Sequence, residues 1–280
     1  MAPIARGKRL SRRGGTQTVP RGFQGAIFDV DGVLVDSPHE QAWRESLREL
    51  MTSEWSNIRE RTTWSPEAFT SRVYQEQLSG KPRLSGARAA LEYFHVPDPD
   101  GARLAEYAER KQARVLQLIE AGEFDAFPDG LRFIIAVKDA GIRVAAASSS
   151  KNAGLYLREI RLDSFAREHG VSSGSIGPGL TLLDLFDVDV SGRDFAHGKP
   201  DPEMFLTAAT ELGVEPERAL VVEDAEAGIR AAKAGGMAGL GVARADDAEL
   251  LAAAAADLVV ATLDEVDVDA LPEGRLTKKQ

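Results

Sequence analysis

The feature that most restricts the fold is an alternation of secondary structure that begins at Phe127. Helical stretches at Gly130–Ala140, Asn152–Arg161, Pro202–Leu212 and Ala225–Ala234 are separated by short apolar runs. These runs are Arg143–Ala147, a short one near Leu185–Val188, Ala219–Val222, and a last pair at Met237–Val242 and Leu258–Val260. Strands that alternate with helices predict a parallel sheet with right-handed crossovers. One further strand, Ala26-Ile27-Phe28, stands far upstream, and the residues between it and Phe127 read as helices: His39–Met51, Pro66–Leu78, Ser85–Phe94 and Ala102–Glu120. No convincing strand interrupts that block. The expected fold is therefore α/β: a Rossmann-like parallel-sheet core (23–37 and 123–280) with an inserted all-helical cap domain (38–122). Its hinges fall near Ser37-Pro38 and between Gly122 and Pro128. Binding sites of such sheets lie beyond the carboxyl ends of the strands. An insertion that leaves from the end of the first strand is placed to close over that location as a lid. Residues 163–181, rich in Gly and Ser, form a long loop with no assignment.

Composition bounds the chemistry. The chain has 280 residues, 43% hydrophobic and 28% charged, as in a soluble globular protein. No cysteine is present, which removes disulfides, thiol catalysis and cysteine metal ligands, and the four scattered histidines argue against zinc. A metal, if used, should be a hard cation held by oxygen. The net charge of −10 conceals an asymmetry, because residues 1–22 carry six basic residues and no acid, leaving 28 basic against 44 acidic residues elsewhere. That globular part has no electrostatic reason to bind nucleic acid or an anionic membrane. The basic arm, 1–22, reads as disordered. Its recruitment of nucleic acid or of an acidic partner is a separate possibility, removable by deleting it and finding unchanged salt-dependent binding. With no secretory signal and no apolar run of membrane-spanning length, the expected location is the cytoplasm, and nothing demands more than a monomer.

Each core strand ends in polar residues suited to one task. The first runs into Asp29-Val30-Asp31-Gly32, and alternation along a strand projects both carboxylates to one side. The strand Arg143–Ala147 ends in Ser148-Ser149-Ser150-Lys151-Asn152 at a helix start, where hydroxyls and amides can cradle an anion. Lys199 immediately precedes a helix, in His197-Gly198-Lys199-Pro200-Asp201-Pro202, and Ala219–Val222 runs into Glu223-Asp224. Each has a structural alternative: a turn, a helix cap, a solvated acidic pair. Together at one rim they make a charge-balanced site. Several carboxylates require a divalent cation, and a cation, a Lys and hydroxyl donors match the oxygens of a transferring phosphoryl group. Asp29 would be the nucleophile and Asp31 the proton shuttle.

The four segments Phe28-Asp-Val-Asp-Gly, Ala147-Ser148-Ser, Gly198-Lys199-Pro-Asp-Pro and Val222-Glu-Asp-Ala-Glu-Ala-Gly resemble the four signatures of the haloacid dehalogenase superfamily. The likeness covers about residues 23–262, and a helical insertion after the first signature resembles the subfamily with a C1-type cap. The resemblance implies Asp29 as nucleophile, Asp31 as acid/base, Ser148 and Lys199 as phosphate ligands, and a Mg²⁺ site of Asp29, Asp31, Glu223 and Asp224. Dehalogenase members lack the second aspartate, so Asp31 argues for phosphoryl transfer.

Within the superfamily, Gln77 to Gly86 is similar to a cap segment of β-phosphoglucomutases whose Arg, here Arg83, grips the distal phosphate of a bisphosphate. Ser150-Lys151-Asn152 resembles the partners of that Arg, and Ser149 beside it is a further candidate for substrate binding. Arg110-Lys111-Gln112 resembles a segment whose Lys, here Lys111, contacts sugar or phosphate. Solvated surface is the alternative for Arg83 and Lys111. A His that assists acid/base alignment in those mutases corresponds best to His39, set nearer the first signature here, with Trp43 four residues on. The implied activity is interconversion of β-glucose 1-phosphate and glucose 6-phosphate, acting on a small phosphorylated sugar. A sugar-phosphate phosphatase is the closest alternative, and a silent sugar-phosphate sensor a remote one.

Overall fold

The computed structural model describes residues 22–245 and 247–280. The expectation of disorder for the basic arm lies outside these residues except at Gly22, which is buried, its carbonyl accepting from the Arg218 guanidinium at 3.2 and 3.3 Å.

The strands are β1 (Gly25–Phe28), β2 (Val35–Asp36), β3 (Asp125–Ala126), β4 (Arg143–Ala146), β5 (Val188–Asp189), β6 (Ala219–Glu223), β7 (Ala238–Val242) and β8 (Leu258–Val260). Six form one parallel sheet in the order β5-β4-β1-β6-β7-β8. The order reverses at β1, so the crevice at the carboxyl ends of β1, β4 and β6 is the topological switch point where α/β sheets bind ligands.

Side-chain alternation divides the core. Ala26, Phe28, Val144, Ala146, Leu220 and Val222 pack on one face with the helices Pro128–Asp139 and Ala153–Glu159. Ile27, Ala145, Val221 and Ala219 pack on the other with Glu203–Leu212 and Glu226–Ala234. Both faces being covered is what makes these strands continuous apolar runs.

Between Asp36 and Asp125 the chain is helical: His39–Thr52, a 3₁₀ segment Ser56–Arg61, Ser71–Gln77, Arg83–Tyr93 and Ala102–Glu120. These elements enclose a separate apolar cluster that includes Trp43, Leu47, Leu50, Trp55, Phe94 and Tyr107. Two helices depart from expectation. Ser71–Gln77 begins well after Pro66 because the Thr70 hydroxyl accepts from the Val73 amide, capping the helix there. Arg83–Tyr93 begins two residues before Ser85, directly after Pro82. The block joins the core through a two-stranded antiparallel ribbon, Val35 opposite Ala126 and Asp36 opposite Asp125. Strands of two residues are too short to leave a periodicity in sequence.

Within residues 163–181 the loop expectation needs correction. Leu162–His169 is a helix closed by Gly170 at φ 65°, and only the remainder is irregular. That remainder is pinned, with Ser173 and Ser175 donating to Asp139 and the Gly179 amide donating to Asp163. Leu185, expected in a strand, ends the short helix Leu182–Leu185, and β5 follows three residues on.

Candidate active site

Beyond the carboxyl ends of β1, β4 and β6 lies a cavity of about 700 Å³, walled below by the sheet and above by the helical block. At its floor Lys199 is buried between two carboxylates, its Nζ donating to Asp29 Oδ1 and Glu223 Oε1, both at 2.5 Å. Asp29 hangs from the first residue beyond β1, its amide bonded to the Val222 carbonyl of β6. Both oxygens of Glu223 are occupied, because Oε2 accepts from the amides of Asp224 and Ala225 at 3.1 Å. Glu223 therefore orients Lys199 and shapes the turn that carries Asp224.

Ligand oxygens of Asp29, Glu223 and Asp224 lie within 4.8 Å of one another, and all three residues are buried. Three carboxylates face one ammonium, so the cluster carries excess negative charge in a dry setting. Burial pushes the Asp29 carboxyl up; Lys199 opposes that, while Glu223 and Asp31 reinforce it, and the net shift is upward. Asp224 is likewise raised by burial, then by Glu223 and Asp29. Carboxyls held up in this way favour a bound cation, and an all-oxygen donor set suits Mg²⁺ or Ca²⁺ over softer metals.

The side chain of Asp31 does not join that group. Its Oδ2 accepts from the Ser148 hydroxyl at 3.0 Å, and its Oδ1 faces His39 Nε2 at 3.5 Å. Gly32, at φ 84°, allows this. A Cβ there would stand 2.0 Å from Asp224 Oδ2, so only glycine lets the loop pass so close to Asp224. His39 opens its helix and is buried, with Nε2 also 3.1 Å from Ser150 Oγ. Burial, then Lys111, depress its pKa to about 4 against the pull of Asp31, so the imidazole is neutral near pH 7. Its contact with Asp31 is a polar contact between a neutral ring and a carboxylate, with no ion pair. The Ser cluster builds its own cradle: the Ser150 amide donates to Ser148 Oγ at 3.0 Å and the Asn152 amide to Ser150 Oγ at 3.2 Å.

The roof brings the remaining residues to the same cavity. Lys111 is buried and lies over the Trp43 ring at 4.9 Å, and its pKa falls to about 8, through burial first and through Arg83, against the attraction of Asp31. The solvated-surface alternative thus fails for Lys111. Arg83 is 38% exposed at the cavity wall and pairs with Glu109 at 3.3 Å. Lys151 also lines the cavity but turns outward to Asp194 at 2.7 Å, both largely exposed. Asn152 Oδ1 accepts from Gln112, and Ser149 donates to the Gly80 carbonyl at 3.3 Å, so both tie the core to the block above. Pro82 rests on Gly198, and Gly80, at φ 72°, lies over Ala225 and Lys199.

Several residues of the wall carry no sequence signal of their own. Tyr74 lines the cavity, its phenol raised by burial and by Asp224 and Asp31. Arg244 lies in a loop with no recognisable pattern. Gln112 stood within a matching segment and could have been found there.

The family model for haloacid dehalogenase-like hydrolases matches residues 23–236. The chain belongs to the haloacid dehalogenase-like hydrolases. Among relatives in this family, a β-phosphoglucomutase of Mycobacterium bovis is 32% identical over 263 residues, spanning 89% of this chain and 93% of that protein. A validoxylamine A 7'-phosphate phosphatase of Streptomyces hygroscopicus subsp. limoneus is 29% identical over 248 residues, spanning 87% and 96%. The solved structure of an archaeal β-phosphoglucomutase from Pyrococcus sp. strain ST 04 superposes with a TM-score of 0.63 at 30% identity, covering 88% of this chain and 96% of that one. The α/β fold expected from sequence is the one shared with these proteins. Both a mutase and a phosphatase are thus similar to this haloacid dehalogenase-like chain.

Proposed function

We propose that this chain is a Mg²⁺-dependent phosphoryl-transfer enzyme that interconverts β-glucose 1-phosphate and glucose 6-phosphate through a sugar bisphosphate. The observation that carries the reading is that one cavity joins a floor of Lys199 and clustered carboxylates, suited to a divalent cation, to a roof that carries two further basic side chains. Lys199 stands beside Asp29 at the floor, and Lys111 and Arg83 stand at the roof. A bisphosphate needs both, and a simple phosphatase needs one. The volume lies inside the roughly 300–1,000 Å³ range of small-molecule sites.

Lys199 holds one oxygen of Asp29 and leaves the other to attack the phosphorus of a bound sugar bisphosphate, forming an aspartyl-phosphate as the bond from phosphorus to the sugar oxygen breaks and Asp31 protonates that oxygen. Ser148 lines the cavity beside Asp31, where its hydroxyl would meet a transferring oxygen. Asp31, held by Ser148 and His39, takes the proton from the sugar hydroxyl as the phosphoryl group leaves Asp29, giving the bisphosphate. After the intermediate turns over, Asp29 accepts the second phosphoryl group and Asp31 returns the proton to the departing sugar oxygen. Asp29 and Asp224 would hold the Mg²⁺, with Glu223 fixing Lys199 beside it. When bound, the cation supplies charge neutralisation for the phosphoryl oxygens. Residues 38–122 act as a lid whose closure excludes water, and Trp43, Ser149, Ser150, Lys151 and Asn152 complete the substrate wall. The enzyme works as a cytoplasmic monomer. No described helix is long and apolar enough to cross a membrane.

The test is a coupled assay of glucose 6-phosphate formation with added bisphosphate, set against release of free phosphate from the same substrate. Release that outruns isomerisation would overturn the mutase. Arg83→Ala should depress isomerisation far more than phosphate release. The second reading, a sugar-phosphate phosphatase, is favoured by the Arg83–Glu109 pair, which engages the distal cation elsewhere.

A further inference from the structure

Arg244 is a cavity-wall residue with no part in the reaction just described, yet each of its guanidinium nitrogens donates a hydrogen bond. It lies just beyond β7, the edge-ward neighbour of β6, and its side chain is 14% exposed. Nε donates to the Gly32 carbonyl at 2.8 Å and Nη2 to the Val33 carbonyl at 2.9 Å. Nη1 reaches both oxygens of Asp129 at 3.0 and 2.9 Å. The guanidinium carbon lies 3.9 Å from the centre of the Phe127 ring. Asp129 in turn accepts from the Thr262 hydroxyl at 2.9 Å and the Leu263 amide at 2.8 Å, beyond β8. Burial raises the Asp129 carboxyl, but these partners outweigh it and the net shift is downward, so it is ionised at neutral pH.

The location of these partners is informative. Gly32 and Val33 precede β2, where the chain leaves the core, and Phe127 and Asp129 follow β3, where it returns. The β2–β3 ribbon has two residue pairs and cannot by itself fix its angle to the sheet. One planar fork grips both crossings, a task for which lysine, a point donor, lacks the geometry. The gripped chain also carries the proton shuttle. Asp31 adjoins Gly32, and the Gly32 amide bonds the Val35 carbonyl at 2.8 Å in the same tight turn.

We propose that Arg244 is a positioning residue that clamps both crossings of the chain at the root of the ribbon, and so sets the rate of phosphoryl transfer by fixing the Asp31 loop against the pivot of the helical block. The proposal rests on the phosphoryl-transfer reading, whether the acceptor is a sugar or water. It places the flexing of the insertion outside the clamp, near residues 37–38 and 122–124.

The test uses the full chain with Mg²⁺ and p-nitrophenyl phosphate as a probe, which serves mutase and phosphatase alike. Arg244→Lys should lower kcat on the order of 100-fold, the scale of a 1 Å misplacement, with KM changed less than about three-fold. Its melting temperature should stay near that of the parent. Asp129→Asn keeps the shape of the partner but removes its charge, and should give the same kcat-selective loss, about 10-fold. Full kcat in a folded Arg244→Lys would overturn the clamp. If Arg244→Lys does not fold, Asp129→Asn decides in the same way: a kcat-selective loss supports the clamp and an unchanged kcat overturns it. Asp29→Asn separates the two levels: turnover surviving in that variant refutes the phosphoryl-transfer reading itself, whereas its loss alongside a fully active Arg244→Lys refutes the clamp alone.

Discussion

Gly198→Ala is expected to disable turnover without unfolding the chain. The Pro82 ring lies on Gly198, and a Cβ built there would fall 2.7 Å from Pro82 Cγ and 2.9 Å from Cδ. Carbon atoms in contact prefer about 3.5–4.0 Å, so the helical block must retreat by roughly 1 Å at this point. Forced overpacking of this kind costs about 1–3 kcal/mol. Here the strain has an outlet, because the block can lift on its ribbon and leave the two apolar clusters intact. The cost should therefore appear in the equilibrium between seated and lifted block, as a fall in kcat/KM of about 5- to 150-fold. Steady-state kinetics and a melting curve, measured together, provide the assay. Pro82→Ala removes the opposing carbons, and the double variant should recover most of the lost activity. A Gly198→Ala enzyme with full kcat/KM would refute the steric reasoning. A loss that Pro82→Ala does not relieve would refute it equally, locating the damage in Lys199 next door.

Three further outcomes concern charge and the cation. Lys111, between Asp31 and Arg83, carries its charge below pH about 8 and loses it above, so KM should rise as pH climbs from 7 to 9; in Lys111→Arg that alkaline limb should vanish, and an identical limb would refute the assignment. Chelation with EDTA should abolish turnover and added Mg²⁺ restore it, with a higher melting temperature in saturating Mg²⁺. Because burial lifts Asp29 and Asp224, protons compete with the cation, and Mg²⁺ affinity should fall as pH is lowered; a pH-independent affinity would contradict the donor set.

The parts of the fold legible in sequence were those with long signals. Strands buried on both faces leave unbroken apolar runs, and Asp29, Ser148, Lys199, Glu223 and Asp224 are adjacent in sequence to strand or helix ends, so their convergence followed from topology. What escaped notice was set by contacts between distant segments. β2 and β3 are two residues each, and the direction of the Asp31 carboxylate depends on Ser148 and His39. The engagement of both Glu223 oxygens, with Lys199 and with two amides, likewise depends on segments the sequence does not show side by side. The helix Leu162–His169 was hidden by the glycine and serine that follow it. Arg244 stands in Ala243-Arg244-Ala245, where nothing local marks it, and its partners lie more than a hundred positions away.

Asp36 and Asp125 face each other across the ribbon, so the chain leaves and re-enters the sheet one strand-width apart. A segment with neighbouring ends can be cut out and replaced without reshaping its host. Grafting the equivalent stretch of a phosphatase relative between these two positions should carry that relative's substrate choice onto this sheet, while Asp29, Lys199 and Asp224 continue the same chemistry beneath it. Selectivity and reactivity would then descend as separable inheritances within one polypeptide.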